Sequence, residues 1–169
     1  MSKGIDIPID ALLADFTTYL WTDKVRSFYG HAFRNVKEGQ SKVCPEIHLA
    51  GTDKYIDVLK DSSKDAQCFF DVQPGPGNSK DIFTADVWLC FMVNLSKLYP
   101  SLSRAEATDQ VQRDVIDLLM SSQFEITGLT GAEGFAAYDW GNDESYQVKA
   151  DMSPNYLFKY ILQNTYINS

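Results

Sequence analysis

Seven apolar side chains, Phe83, Ala85, Val87, Leu89, Phe91, Val93 and Leu95, occupy alternate positions in an unbroken row. Only an extended strand puts every second residue on one face, so this run commits the chain to a sheet with a long central strand. The positions between them, Thr84, Asp86, Trp88, Cys90, Met92 and Asn94, begin polar and turn apolar. One face of the strand therefore belongs to the core, and the other is partly covered.

The flanking segments supply the rest of the sheet and the layer that covers it. Ile9, Leu12, Leu13, Phe16, Tyr19 and Leu20 recur at helical spacing, with Asp6 and Pro8 where a helix start tolerates a capping acid and a missing amide. Residues 22–45 read as a loop with a short strand around Ser27 to Phe33. Ile47 and Leu49, then Ile56 and Val58, alternate on either side of Gly51-Thr52-Asp53, which predicts a hairpin. Ala66 to Val72 is a further strand, ended by the Pro/Gly-rich run Pro74 to Ser79. Ser103-Arg104-Ala105-Glu106 has the pattern of a capping box. The helix after it buries Ala107, Val111, Val115, Leu118 and Leu119 and turns Asp109, Arg113 and Asp114 to water. Phe124, Ile126 and Leu129 make a short strand; Gly128, Gly131 and Gly134 break the backbone; Asp139 to Glu144 is an exposed acidic loop. Pro154 to Ile167 alternates again as a chain-ending strand. No repeat or linker divides residues 1–169, so the reading is one α+β domain, a mostly antiparallel sheet packed on one side by two main helices, in the order α-β-β-β-β-α-β-β.

Charge narrows the partners. The formal net charge is −8, and no stretch is basic enough to displace counterions from nucleic acid, so specific nucleic-acid recognition is not expected. The same charge suits a passage through which DNA slides without sticking. Cys44, Cys68 and Cys90 are odd in number and fit no zinc spacing, which points to reduced thiols in an intracellular compartment. The first residues lack the pattern of a signal peptide, and the longest apolar run, Val87 to Val93, is too short to span a bilayer.

Several local patterns touch on chemistry without meeting its requirements. Gly75-Pro76-Gly77-Asn78-Ser79-Lys80 superficially matches a phosphate-binding loop, but no glycine precedes Lys80 and a strand follows rather than a helix. Cys44 and His48 stand four residues apart with no third group to orient them. His31 lies among aromatics and Arg26 and Arg34, and two histidines leave little material for a transition-metal site. Asp139, Asp143 and Glu144 lack the spacing of a calcium loop and read as a solvated acidic segment. No cofactor, no metal site and no catalytic residue is expected, and the sequence points to assembly rather than catalysis.

The order of elements resembles the tail-terminator and tail-completion (neck ring) proteins of tailed bacteriophages. The opening helix (Ile9 to Trp21), the long strand leading into a helix (Phe83 to Met120) and the chain-ending strand (Pro154 to Ile167) carry the resemblance. Thr22 to Lys42 and Gly131 to Asp151 depart from it as additions to a more compact core. The resemblance implies a virion protein, assembled in the host cytoplasm, that forms a sixfold or twelvefold homo-oligomeric ring between neighbouring head–tail connector and tail proteins, with DNA passing through and no membrane involved. Under it, Pro74, Gly75, Pro76, Gly77, Asn78, Ser79 and Lys80 form a subunit-interface loop, and Asp139, Asp143 and Glu144 an acidic loop or lumen lining. Two other readings stand beside it. A monomeric protein- or ligand-binding adaptor predicts a partner on an open sheet face, and an enzyme predicts a deep pocket gathering His31, His48, Cys44 and nearby acids.

Overall fold

The computed structural model describes residues 4–35, 44–48, 55–57, 63–73, 77–79, 82–131 and 155–167. Their elements run α1 (Asp6–Tyr19), β1 (Arg26–Asn35), β2 (Cys44–His48), β3 (Tyr55–Asp57), β4 (Ala66–Val72), β5 (Gly77–Ser79), β6 (Ile82–Asn94), α2 (Leu95–Leu98), α3 (Arg104–Met120), β7 (Glu125–Thr130) and β8 (Asn155–Ile167). The strands form one sheet in the order β3-β2-β1-β4-β6-β8-β7. Strand β5 extends β4's side of β6, because β8 occupies the other edge of β6 from Ile82 to Asn94. Only β1 and β4 pair in parallel, so the fold is α+β with a mostly antiparallel sheet. The hairpin β2–β3 extends the main six-stranded body beyond the far end of β1.

Strand β6 lies in the middle as its alternation requires. Val87, Leu89, Phe91 and Val93 face the helices together with Ala66, Cys68 and Phe70 of β4 and Phe158, Tyr160 and Leu162 of β8. Ile9, Leu12 and Phe16 of α1 and Ala107, Val111, Val115 and Leu119 of α3 close this core from one side. Phe91 sits at its centre, with ring centroids 5.7 Å from Phe16, 5.9 Å from Trp21 and 5.1 Å from Phe158. The opposite face buries Ala32, Phe69, Cys90, Met92 and Leu157, and carries the buried polar groups Gln67, Asp71 and Lys159. The Lys159 ammonium lies 3.5 Å from the centroid of the Trp88 ring.

Two bulges reset the alternation. In β1, Phe28 pairs with Cys68 but His31 with Phe70, so one extra residue is taken up between them. In β7, Ile126 pairs with Leu162 and Leu129 with Tyr160, with the break between Ile126 and Gly128. The extra residue puts Ile126 and Leu129 on one face, although their spacing of three would place them on opposite faces of a regular strand.

Four local readings are corrected. Leu95 leaves the strand and opens α2, where the Asn94 side chain accepts the Lys97 amide at 3.1 Å. Gly77, Asn78 and Ser79 form β5 rather than a loop, because their backbone pairs with Ile82–Thr84 despite the low strand preference of the segment. Gly128 sits inside β7 rather than breaking it. Asp6 lies in the first turn of α1, whose N-cap is Ile5, and its carboxylate reaches His31 instead of a backbone amide. The capping box of α3 is present, with Ser103 accepting from the Glu106 amide and Glu106 from the Ser103 amide.

Candidate functional site

The site begins where α1 ends. A helix leaves its last carbonyls short of partners, and here one guanidinium meets three carbonyls of its end, that of Phe16 being shared with the Leu20 amide. Arg26 Nη1 donates to Phe16 O at 3.2 Å, Thr17 O at 3.1 Å and Leu20 O at 2.7 Å. That cation also offsets the negative end of the helix dipole. The chain then reverses at Trp21, whose φ of 47° lies in the left-handed region that side chains rarely adopt. A bulky residue holds that conformation only where its surroundings fix it. The indole packs 6.2 Å from Phe28 and 5.9 Å from Phe91 between ring centroids.

The polar edge of the indole meets a network. Trp21 Nε1 donates to Tyr99 Oη at 2.8 Å and to Asp114 Oδ2 at 3.2 Å. Tyr99 Oη donates to Asp114 Oδ2, and Gln110 Nε2 donates to Asp114 Oδ1 at 2.7 Å. Burial first, and then the Asp114 carboxylate, hold the Tyr99 hydroxyl's pKa well above the ordinary tyrosine value. Asp114, expected in water, is half-buried and serves as the common acceptor for groups from the turn after α1, the turn after α2 and α3 itself. Gln110 and Asp114 form an i, i+4 pair visible in the sequence. Trp21 and Tyr99 are 78 residues apart, and no local pattern joins them.

Beside this network lies a cleft of about 330 Å³, lined by Tyr19, Leu20, Trp21, Asp114, Asp117 and Leu118. Tyr19 is the departure from the expected apolar stripe, being 69% exposed. It stands seven residues after buried Leu12, in the core-facing sector of α1, but at the last turn it meets the cleft instead of a neighbour. All three donors to Asp114 are neutral, and Asp117 is exposed, with no hydrogen-bond or ion-pair partner among the described residues.

Further exposed apolar side chains lie on β1 and on β7. On β1, His31 Nδ1 is 2.7 Å from Asp6 Oδ1 and its ring stacks on Phe33, centroids 4.9 Å apart. Phe33 is 47% exposed, and Ile7 of α1 is 52% exposed. On the β7 side Leu129 is 40% and Met120, at the end of α3, 76% exposed. Between β1 and β7 lie four inter-strand steps, roughly 19 Å.

Of the residues singled out from the sequence, those among the described residues are not gathered into one site. Pro74, Gly75, Pro76, Lys80, Asp139, Asp143 and Glu144 lie outside the described residues, and Gly77, Asn78 and Ser79 are in β5. Cys44 and His48 occupy the two ends of β2, which puts their backbones roughly 13 Å apart along the strand. His31 is paired with Asp6 on β1. Among the described residues no group of three or more His, Cys, Asp and Glu is placed to hold a metal ion, and no helix is long and apolar enough to cross a membrane. No protein-family model, curated protein or solved structure matches the chain.

Proposed function

We propose that this protein is a structural subunit of a closed homo-oligomeric ring, of the kind that tail-terminator and neck-ring proteins of tailed bacteriophages build at the head–tail junction. The observation that carries this reading is that large apolar side chains are exposed at two separate places on the fold: Phe33 on β1 with Ile7 exposed on α1, and Leu129 on β7 with Met120 exposed at the end of α3. A ring closed by rotation needs a heterologous contact, in which one patch of each copy meets a different patch of the next. A two-fold dimer would need only one self-complementary patch. The net charge of −8 agrees with a channel that lets DNA through without holding it. The order of elements carries the same reading.

Light scattering and negative-stain imaging of the purified protein test it, with closed rings of six or twelve copies expected. The patch variants Phe33→Asp and Leu129→Asp are each expected to be monomeric. Mixed together they should form a one-to-one pair and nothing larger, because only one intact contact can be made between them. A wild-type monomer at every concentration reached overturns the proposal, as does a mixture that rebuilds full rings.

A further inference from the structure

We infer that the cleft at the end of α1 is a docking site for an arginine side chain on a basic segment of a different protein. The inference is independent of the ring contacts, which are proposed at Phe33 on β1 and Leu129 on β7. Three features of the cleft point to this occupant. Its walls include an exposed phenol ring, Tyr19, beside the largely buried indole of Trp21, and the face of a phenol ring attracts cations. Its charged groups are both carboxylates: Asp114 is fixed from behind by neutral donors, and Asp117 is open to solvent. Among the described residues no basic side chain lines it: Arg26 is turned to the carbonyls of α1, and Arg113 pairs with Asp109 at 2.9 Å.

The shape agrees with one side chain. A volume of about 330 Å³ is at the small end of ligand sites. Tyr19 occupies a core-facing position of its helix yet is 69% exposed, so among the described residues an incoming group completes a layer without displacing one. Arginine fits better than lysine because a planar guanidinium can stack on the phenol ring while forking to a carboxylate. A second copy is the poorer match, since no stretch of this chain is basic. A basic segment of another chain has the complementary sign and gains in on-rate from it.

The test uses the whole protein and two probe peptides, acetyl-Gly-Leu-Arg-Leu-Gly-amide and the same peptide with citrulline, which keeps the shape and removes the charge. Binding is read from the Trp21 indole N–H resonance, assigned with Trp21→Phe, and from calorimetry. The arginine peptide is expected to shift that resonance saturably, and the citrulline peptide to leave it unmoved. Asp117→Asn and Tyr19→Ala, both at exposed positions that the fold does not need, should each weaken binding by about fivefold. The affinity should also fall as salt rises. Equal binding of the citrulline peptide overturns the inference, as does an unchanged affinity in Asp117→Asn. Light scattering of Asp117→Asn must give the wild-type mass, because a loss of oligomer would seat a second copy in the cleft and overturn it too. Failure of the ring proposal leaves the peptide titration readable, so the two are judged separately.

Discussion

Replacing Asp114 by alanine removes one acceptor that three donors share, and the structure lets the cost be worked out donor by donor. Tyr99 loses its only hydroxyl acceptor in a half-buried position, and a hydrogen bond to a charged group is worth about 1.5–3 kcal/mol. Trp21 Nε1 keeps Tyr99 Oη at 2.8 Å and forfeits only the longer arm of a forked bond. Gln110 can turn back to water, so its 2.7 Å bond adds little. The sum is about 3 kcal/mol, equivalent to a fall in Tm of about 6–12 °C for a chain of this size. Urea unfolding followed by circular dichroism measures it directly. Asp114→Asn keeps a carbonyl oxygen for Tyr99 and should cost roughly half as much. The decisive comparison is a double-mutant cycle with Tyr99→Phe, where a coupling of at least about 1 kcal/mol is expected. If Asp114→Ala changes stability by no more than about 0.5 kcal/mol, as at an ordinary surface helix position, or if the coupling vanishes, the reasoning about the cleft's floor is refuted.

Alkaline unfolding offers a second test. Tyr99 and Tyr160 hold their protons more tightly than a free tyrosine, each through burial first, Tyr99 then through Asp114 and Tyr160 through Tyr156. Above about pH 10 the unfolded chain loses these protons while the folded chain keeps them, so their contribution is complete below that pH and declines above it, by up to about 1.4 kcal/mol per pH unit per tyrosine. Tyr99→Phe should flatten the stability–pH slope above pH ~10 by that amount, and an unchanged slope refutes the assignment. Thiol labelling gives a third. Cys68 and Cys90 are buried, and burial pushes the Cys68 thiol well above its usual range. In a Cys44→Ser background a disulfide reagent should label neither thiol in the native protein and both in urea; rapid native labelling would place them wrongly.

Much of the architecture was legible because it rests on local periodicities. The alternation from Phe83 to Val93 placed β6 at the centre with the correct faces, and the spacing of Ile9, Leu12 and Phe16 placed α1. The capping box marked the first turn of α3 to the residue, since its two hydrogen bonds are made within four consecutive positions. What was lost lay where the partner strand decided. Gly77–Ser79 has no strand propensity of its own, yet it pairs because the first turns of β6 offer it an edge. The bulge in β7 had left a trace, the odd spacing of Ile126 and Leu129, which a regular strand cannot bury on one face.

The cleft was illegible for a different reason. Three of its residues break the rules that read their own elements correctly. Tyr19 has the angular position of a core residue and is exposed, and Asp114 has the polarity of a surface residue and is half-buried. Trp21 is a large side chain in a backbone region that favours glycine. Periodicity assigns a side chain to a face of its own helix, but it says nothing about whether another element stands opposite. At the end of α1 that depends on Tyr99 and Asp114, which come from far along the chain, and on Arg26 closing the helix so that the turn can be sharp. Natural sequences tend to depart from local consistency where function demands it. Trp21 belongs to the main core and Asp114 holds its indole, but Tyr19 serves neither, so its exposed place on the cleft is better explained by something that binds there than by the demands of the fold.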